Sequence, residues 1–282
     1  MLKDFLKDDM GLTKKQISQA KFRKGGICVN GRQERVSRIL LANDEVEVLL
    51  EEAGKDSNLS LWKISPVILY EDDDLLIIDK PAGMAAHPAH GHYSDTAANM
   101  AAAYLKSTGA GGPIRLAGRL DKDTSGALVF AKSQPAAARL AVQREKGLFQ
   151  KEYLALVSGQ MKTVSGTIKM PIRKAPGELM KMEVCESSGK PAITHFQVLL
   201  KKEEYTVLSV KIETGRTHQI RVHMAWAGYP LLGDILYGGK DDRIKRAALH
   251  AWRLRLQQPF TGEEIQVEAP VPDDMILHVK AD

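Results

Sequence analysis

The chain has 282 residues, 44% of them hydrophobic and 27% charged, which is ordinary for a globular protein with room for a large and a small domain. No window approaches the roughly 18 uninterrupted apolar residues of a membrane span, and charges interrupt the first residues where a secretion signal needs its apolar region. Two cysteines, Cys28 and Cys185, form neither a disulfide framework nor a zinc motif. We therefore expect a cytoplasmic protein without a membrane segment.

The first fifty residues predict a compact α+β module. Thr13 can cap a helix that reaches Phe22 and ends at the glycine pair that follows. A short strand at 27–29 leads into Asn30-Gly31, a strong hairpin signal, and another strand is predicted at 46–50.

Positive charge is concentrated in this module. From Lys14 to Arg38, eight basic residues stand against one acid, Glu34, a local charge of +7 compared with +5 for the whole chain. Such a patch is typical of a polyanion-binding element, although a solvated helix face explains it equally well. The candidate phosphate contacts on the helix and hairpin are Lys14, Lys15, Lys21, Arg23, Lys24 and Arg32.

Residues 51–60 are poor in apolar side chains, and we interpret them as a linker. It divides the chain into a module with its linker, 1–60, and a larger domain, 61–282. In the larger domain, strands are predicted at 67–70, 75–78, 127–131, 153–157, 195–200, 205–212 and 265–268. Helices are predicted at 96–106, capped by Asp95, and from Ser133 to about Lys146. The absence of a regular βαβ rhythm favours an α+β fold with a mixed, largely antiparallel sheet and flanking helices.

The segment 117–132, AGRLDKDTSGALVFAK, places Asp121 and Asp123 in a polar turn just before an apolar strand. Catalytic carboxylates tend to lie at such rigid sheet edges. Arg119, two residues before Asp121, would point to the same side of an extended chain. The same residues are also ordinary turn formers, since their carboxylates can bond local backbone N–H groups.

The segment 213–239 predicts a helix capped by Thr217, running through Ala227 and followed by Gly228. Arg216 would then lie at the mouth of the helix and Arg221 one turn inside it. That arrangement suits a phosphate or carboxylate, although an arginine-rich helix is more often a solvated or salt-bridged face.

Two further features have a plain structural interpretation. Tyr153 opens an apolar run and, judged alone, is a core residue with its hydroxyl at the rim. Three histidines within 87–92 invite a metal interpretation, but proline and glycine among them indicate an irregular loop, so no metal site is expected.

Five collinear segments together resemble the RluA-type family of RNA pseudouridine synthases. They are LLIIDKPAGMAAHP at 75–88, GRLDKDTSGALVFAKS at 118–133, KEYLALVSG at 151–159, TGRTHQIRVHMAWAGYPLLGDILYGG at 214–239, and ALHAWRLRL with QPFTGEEIQVEAPVP at 248–272. The segment GLTKKQISQAKFRKGGICVNGR resembles the small RNA-binding domain, first seen in a ribosomal protein, that often precedes this catalytic domain. One position departs from the family, which frequently has histidine in place of Gly118, and this bears on the RNA target.

The resemblance implies isomerisation of a uridine in ribosomal or transfer RNA, with no cofactor and no metal. It implies that Asp121 is the nucleophile, or the stabiliser of a sugar cation, by the logic of glycosidases. Arg119 would hold the flipped-out nucleotide or fill the vacated stack. Tyr153 would pack on the uracil and take the C5 proton at the end of the reaction.

The resemblance also suggests partners for these groups. Arg216 is the first choice for an ion pair that orients Asp121, Arg221 is the second, and Ile220 would supply an apolar wall for the uracil. The basic residues of the module would grip RNA phosphates, and we expect a monomer. The alternatives are a non-catalytic RNA-binding protein that kept the fold, and a glycoside hydrolase for which Asp123 is the only nearby second carboxylate.

Overall fold

A computed structural model describes residues 1–50, 65–88, 93–110, 112–241 and 243–279. The linker predicted at 51–60 lies outside these ranges. The α-helices of the described part are α1 (Leu2–Asp4), α2 (Lys14–Lys21), α3 (Ala97–Ser107), α4 (Gln134–Glu145), α5 (Gln219–Trp226) and α6 (Asp273–Val279), with a π-helical turn at Phe5–Asp9 and a 3-10 turn at Ile235–Tyr237. The strands are β1 (Ile27–Val29), β2 (Arg32–Gln33), β3 (Val46–Val48), β4 (Val67–Glu71), β5 (Leu75–Lys80), β6 (Arg115–Leu116), β7 (Ser125–Ala131), β8 (Gln150–Ser158), β9 (Ser165–Lys169), β10 (Ile172–Lys174), β11 (Met182–Val184), β12 (Ile193–Lys201), β13 (Tyr205–Ile212), β14 (Leu249–Gln257) and β15 (Glu264–Glu268).

The first fifty residues form the predicted α+β module. Thr13 caps α2 through a capping box with Gln16, because each side chain bonds the other's backbone N–H. Strand β1 lies between β2 and β3, and the β1–β2 hairpin turns at Asn30 and Gly31, both with positive φ. The apolar face of α2 packs with the N-terminal helical turns and with β1 into one small core.

Among the described residues, ten strands form the large sheet. Its main path is β4-β5-β7-β14-β8-β13-β12-β9, while β15 pairs with β14 and β6 with β7. The β7–β14 pair is parallel, with His250 opposite Ser125, and the other pairs are antiparallel. The predicted mixed, largely antiparallel sheet is therefore confirmed.

Helices cover both faces of this sheet. Alternate residues of β5 show the division, since Leu76 and Ile78 pack in the core that holds α3 and α5, whereas Leu75 and Ile77 pack in the core that holds α4. Burial on both faces explains why β5 and β7 are continuous apolar runs without polar alternation.

Two details differ from the sequence prediction. Helix α3 is capped by Thr96 and not by Asp95, because the Thr96 hydroxyl accepts from the backbone of Asn99 and the Asn99 side chain reciprocates. The strands β6, β9, β10, β11 and β14 were not predicted. No helix in the described ranges is both long and apolar enough to cross a membrane.

Candidate active site

Asp121 lies in the loop between β6 and β7, at the edge of the sheet, as its sequence context predicted. Its carbonyl accepts the backbone N–H of Thr124 at 3.1 Å, which closes the turn. Its side chain is half-buried, and no hydrogen bond or ion pair occupies that carboxylate among the described residues. A backbone hydrogen bond thus closes the turn, and the Asp121 carboxylate is available to another partner.

Lys80, at the end of β5, holds this loop through hydrogen bonds from its buried ammonium. Its fully buried ammonium donates to the carbonyls of Pro81 (2.7 Å), Met84 (2.8 Å) and Lys122 (3.1 Å). Burial lowers the pKa of Lys80 to about 7, and the carboxylates of Asp123 and Asp121 oppose that shift. A lysine closing an apolar strand normally reaches for solvent, so its sequence gave no signal of this role.

Arg246 holds the same loop from the other side. One of its guanidinium nitrogens donates to the carbonyl of Asp123 at 3.1 Å, and two others form a bidentate pair with Asp274 at 2.7 and 2.8 Å. The carbonyls of Lys122 and Asp123 are therefore both held by side-chain hydrogen bonds, and Asp121 lies just before them. Such support restricts where the carboxylate can point.

The Ser125-Gly126 pair explains how β7 leaves the loop. The Ser125 hydroxyl lies 2.8 Å from Nδ1 of His250, which is fully buried and whose pKa is lowered to about 4 by burial. A Cβ at Gly126 would lie 2.3 Å from the carbonyl oxygen of Ala251, and φ there is +108°. The close parallel approach of β7 and β14 therefore requires glycine.

Tyr153, on β8, is 5% exposed and packs in the same core cluster as Leu120 and Ile220. Burial raises the pKa of its phenol, and the Asp121 carboxylate raises it further. The structure thus brings Tyr153, Ile220 and Asp121 into one neighbourhood. A raised pKa keeps the phenol protonated, and a protonated phenol cannot take up the C5 proton, so packing on the uracil suits Tyr153 better than the base role that the resemblance implied.

The start of α5 differs from its prediction. Thr217 does not cap the helix, because His218 stands at the N-cap in the left-handed conformation (φ 55°) and α5 begins at Gln219. The organising side chain is Gln219, whose Oε1 accepts from the Thr214 hydroxyl and from the Arg216 backbone at 2.8 and 3.0 Å. This turn directs the chain before the helix away from the position that the prediction assumed.

The expected ion pair between Arg216 and Asp121 is consequently wrong for this structure. Arg216 is exposed, and its Nε donates to the carbonyl of Pro191 at 3.0 Å. No ion pair joins Arg216 to Asp121, both of which the structure describes. Arg216 remains a candidate for RNA contact at the entrance of α5.

Arg221, the second choice, also pairs with another carboxylate. Its Nε and one terminal nitrogen form a bidentate pair with Asp234 at 2.7 and 2.8 Å, and both side chains are buried. Burial alone would lower the pKa of Arg221, but Asp234 and then Asp121 raise it. Arg221 is therefore a fixed cation within electrostatic reach of Asp121 that makes no direct ion pair with it.

His218 and Tyr237 complete this side of the site. His218 Nδ1 lies 2.9 Å from the Tyr237 hydroxyl, and the Tyr237 ring lies 5.1 Å from the guanidinium carbon of Arg221. Burial lowers the pKa of His218, and the Asp121 carboxylate opposes that shift. Sequence reasoning assigned no role to Asp234 or Tyr237, since an aspartate and a tyrosine in a glycine-rich stretch are ordinary loop residues.

Two neighbours of Asp121 lie on the outer side of the loop. Arg119 is exposed, which suits a side chain that contacts a displaced nucleotide. Gly118 has φ +92°, and a Cβ there would lie 3.7 Å from Lys151 Nζ, a buried amine with no hydrogen-bond partner among the described residues. Histidine at this position would have to adopt a strained backbone, so the glycine suits the local conformation.

The remaining predicted residues lie elsewhere. In the N-terminal module, Lys14, Lys15, Lys21, Lys24 and Arg32 are exposed, whereas Arg23 is half-buried. The histidine stretch at 87–92 lies partly outside the described residues, and His87 Nδ1 lies 3.0 Å from the carbonyl of Pro88. In the ranges that the structure describes, no three His, Cys, Asp or Glu side chains gather as a metal site would require.

Comparison with known proteins places the chain among related sequences. Residues 74–226 match the RNA pseudouridylate synthase family. A Bacillus subtilis (strain 168) RNA pseudouridine synthase, YjbO, is 35% identical over 97% of this chain and 96% of its own length. Ribosomal large subunit pseudouridine synthase D of Vibrio vulnificus is 38% identical over 89% of this chain and 81% of its own length. The solved structure of human RNA pseudouridylate synthase domain containing 1 covers 82% of this chain and is itself covered to 89%, with 28% identity and a TM-score of 0.62.

Proposed function

The chain belongs to the RNA pseudouridylate synthase family and is an RNA pseudouridine synthase, and we propose that it modifies large-subunit ribosomal RNA with Asp121 as its nucleophile. The ribosomal target is supported by relatives named for the large ribosomal subunit. Transfer RNA is the alternative target, and a cytoplasmic location agrees with either. Mapping pseudouridines in total RNA with and without the protein would identify the modified uridine.

The observation that carries the assignment to Asp121 is its combination of a fixed backbone and an unoccupied carboxylate. Lys80 and Arg246 hold the next two carbonyls of the loop, yet the carboxylate has no hydrogen-bond partner in the described part of the chain. Structural aspartates in turns normally bond nearby backbone N–H groups. A positioned carboxylate without such a bond is suited to react with a substrate.

The reaction breaks the C1′–N1 bond of a uridine, turns the uracil and joins C1′ to C5, after which the C5 proton leaves. A carboxylate serves the first step either by bonding to C1′ or by promoting loss of the 2′ proton. Arg221 lies within electrostatic reach of Asp121, and its own ion pair with Asp234 fixes its position. The guanidinium of Arg221 would thus supply a fixed positive charge near the Asp121 carboxylate whenever that carboxylate is ionised during the reaction.

The other site residues would receive the base. A uridine stacked in RNA must be flipped out to reach Asp121. We assign its apolar contacts to Tyr153 and Ile220, which share one core cluster, and the displaced nucleotide to the exposed Arg119. Arg216, at the entrance of α5, would contact the RNA and not Asp121.

The N-terminal module would act as an RNA-binding domain of the kind first seen in a ribosomal protein. Its support is the exposure of Lys14, Lys15, Lys21, Lys24 and Arg32 on one small module. Exposed cations bind phosphates without reading sequence.

Replacing Asp121 with Asn tests the nucleophile. RNA carrying tritium at uracil C5 releases label only when a C1′–C5 bond has formed and the C5 proton has left. We expect Asp121→Asn to lower the rate of release by at least about 10⁴-fold while RNA affinity stays within a factor of about 3. Continued release at more than a hundredth of the normal rate would exclude Asp121 as the nucleophile.

Asp123→Asn is the matched control, because Asp123 belongs to the same loop and is also half-buried. We expect less than a tenfold loss of release. Chromatography of the product base separates isomerisation from hydrolysis, since free uracil in place of pseudouridine would indicate a glycoside-hydrolysing enzyme.

A further inference from the structure

The Phe22 side chain is 80% exposed, the highest value among the large apolar residues that the structure describes in the N-terminal module. It follows α2 directly, off the buried face made by Gln16, Ile17 and Ala20. Gln33 fixes the chain after it, since its side chain accepts the Gly25 N–H and donates to the Arg23 carbonyl, each at 2.9 Å. These two hydrogen bonds hold the turn that follows Phe22, and the phenyl ring faces solvent.

The ring borders a cleft of about 1020 Å³. We call this the Phe22 cleft, and Lys21, Phe22 and the segment 33–39 line it. Ile39, on the opposite border, is 74% exposed. A cleft with two exposed apolar side chains on a small module indicates a binding surface.

The charge of the Phe22 cleft defines the partner. Its one acid, Glu34, forms an ion pair with Arg38 and so is already neutralised. Lys21 Nζ lies 4.5 Å from the centre of the Phe22 ring. Arg35 is exposed and has no ion pair among the described residues. The cleft thus combines an open aromatic ring with two uncompensated cations.

We propose that the Phe22 cleft binds an unpaired nucleotide of RNA, with the base stacked on Phe22 and the adjoining phosphates held by Lys21 and Arg35. Stacking on an aromatic ring within a cationic groove is the general means of binding single-stranded nucleic acid. A paired base offers no free face, so a plain duplex would meet only the cations. The inference rests on the proposed function, because it presupposes an RNA substrate.

The cleft would therefore select RNA at a bulge, loop or strand end, which cations alone do not distinguish. It belongs to a different part of the chain from Asp121. A bulge bound there would help to choose which uridine the active site reaches, in addition to any contact made around the flipped base.

Binding of two short RNA hairpins by the full chain tests the proposal. Both hairpins contain only G, C and A, so the active site has no uridine, and one carries a single bulged 2-aminopurine. We expect Phe22→Ala to weaken binding of the bulged hairpin by roughly 5- to 100-fold, to leave the fully paired hairpin unaffected, and to keep the salt dependence unchanged. The stacking signal, quenching of 2-aminopurine fluorescence, should disappear with the ring.

Three control variants separate stacking from charge and from general surface effects. Phe22→Trp keeps a ring and should retain both affinity and quenching. Lys21→Gln should weaken both hairpins and lower the salt slope by about one. Leu41→Ala removes another exposed apolar side chain of the module, 71% exposed and outside the cleft, and should change neither measurement.

The remaining outcomes overturn the proposal. Equal affinity of Phe22→Ala and the unaltered chain for the bulged hairpin would exclude stacking, as would a loss shared equally by the paired hairpin. Sedimentation velocity tests whether a second copy of the chain occupies the cleft instead. A dimer that Phe22→Ala dissociates would assign the cleft to that second copy. The tritium assay stands apart, because absent label release would contradict the proposed function whether or not the bulge is bound.

Discussion

The N-terminal module and the surroundings of Asp121 hold their cations in opposite ways. On the module, Lys14, Lys15 and Lys24 are exposed and point into solvent from a small core. Around Asp121, Lys80 and Arg221 are buried, and each is saturated by carbonyls or by a carboxylate. Exposed cations contribute affinity that salt screens, whereas buried cations fix geometry at a high cost in desolvation.

This contrast indicates where a substitution should act. A change to a buried cation, or to its partner, should affect folding and catalysis together, because the unpaired charge stays inside the protein. A change to an exposed cation should affect RNA binding and leave folding intact.

Asp234→Asn should have the largest effect on stability. It leaves the buried guanidinium of Arg221 without its carboxylate, and we expect a loss of about 3–5 kcal/mol in the free energy of unfolding. Pseudouridine formation should fall as well, because Arg221 lies within electrostatic reach of Asp121. Urea unfolding measures the first effect, and single-turnover label release below the unfolding transition measures the second.

Glu268→Gln provides the matched control on the outside of the same domain. Glu268 pairs with Arg253 at 2.9 Å, but the Glu268 side chain is 56% exposed and the Arg253 side chain 48%. We expect its loss to cost about 0–1 kcal/mol. If both substitutions cost the same, burial would not be the property that distinguishes the two ion pairs.

Much of the fold was predictable because local rules agree with it. Thr13 and Ser133 cap their helices, Asn30-Gly31 turns its hairpin, and apolar runs become β5, β7 and β8. Strand β14 was not predicted because Arg253 and Arg255 interrupt its apolar pattern. Both arginines form ion pairs with glutamates on β15. The other two partners of β14 are β7 and β8, which lie far earlier in the chain, and pairing between such distant segments leaves no trace in a local window.

The candidate site was predictable only in part, for the same reason. Asp121, Tyr153 and Ile220 lie close together as the resemblance implied. The partners of Arg216 and Arg221 were not predictable, because one depends on the left-handed turn at His218 and the other on an aspartate 13 residues away. The burial of Lys80 and Lys151 was also not predictable, because a lysine side chain ordinarily extends its ammonium into solvent.

Lys151→Met should raise stability and change its pH dependence. Lys151 Nζ is buried and has no hydrogen-bond partner in the described part of the chain, unlike Lys80, whose three donors are satisfied. Burial lowers the pKa of Lys151 to about 7. Removing an unsatisfied buried amine should stabilise the fold by about 1–3 kcal/mol near neutral pH, as measured by urea unfolding.

The sign of the pH dependence follows from the lowered pKa. In the unfolded chain the Lys151 amine binds its proton as pH falls through about 10.4, the ordinary lysine value. In the folded chain it binds that proton only near pH 7. The unaltered protein should therefore lose stability through this window, and the loss should be smaller in Lys151→Met. Lys80 contributes equally to both proteins and cancels in the difference. A difference that does not vary between these pH values would mean that Lys151 titrates normally.

The double substitution Lys14→Gln and Lys15→Gln should have the smallest effect on folding. Both lysines are exposed and occupy the first two positions of α2, where positive charge opposes the helix dipole. Their removal should leave the free energy of unfolding unchanged or raise it by about 0.5 kcal/mol. RNA affinity should nevertheless fall, and the slope of log affinity against log salt should decrease by about two if each lysine meets a phosphate.

The opposite signs of these two effects make the experiment decisive. If the role of Lys14 and Lys15 were to stabilise the fold, they should not destabilise α2. A role in RNA binding is compatible with such a cost. Lys14→Arg with Lys15→Arg preserves the charge and should keep the salt slope, which separates charge from shape. An unchanged slope in the glutamine variant would remove these lysines from the RNA surface and leave the module's binding to the Phe22 cleft and the remaining cations.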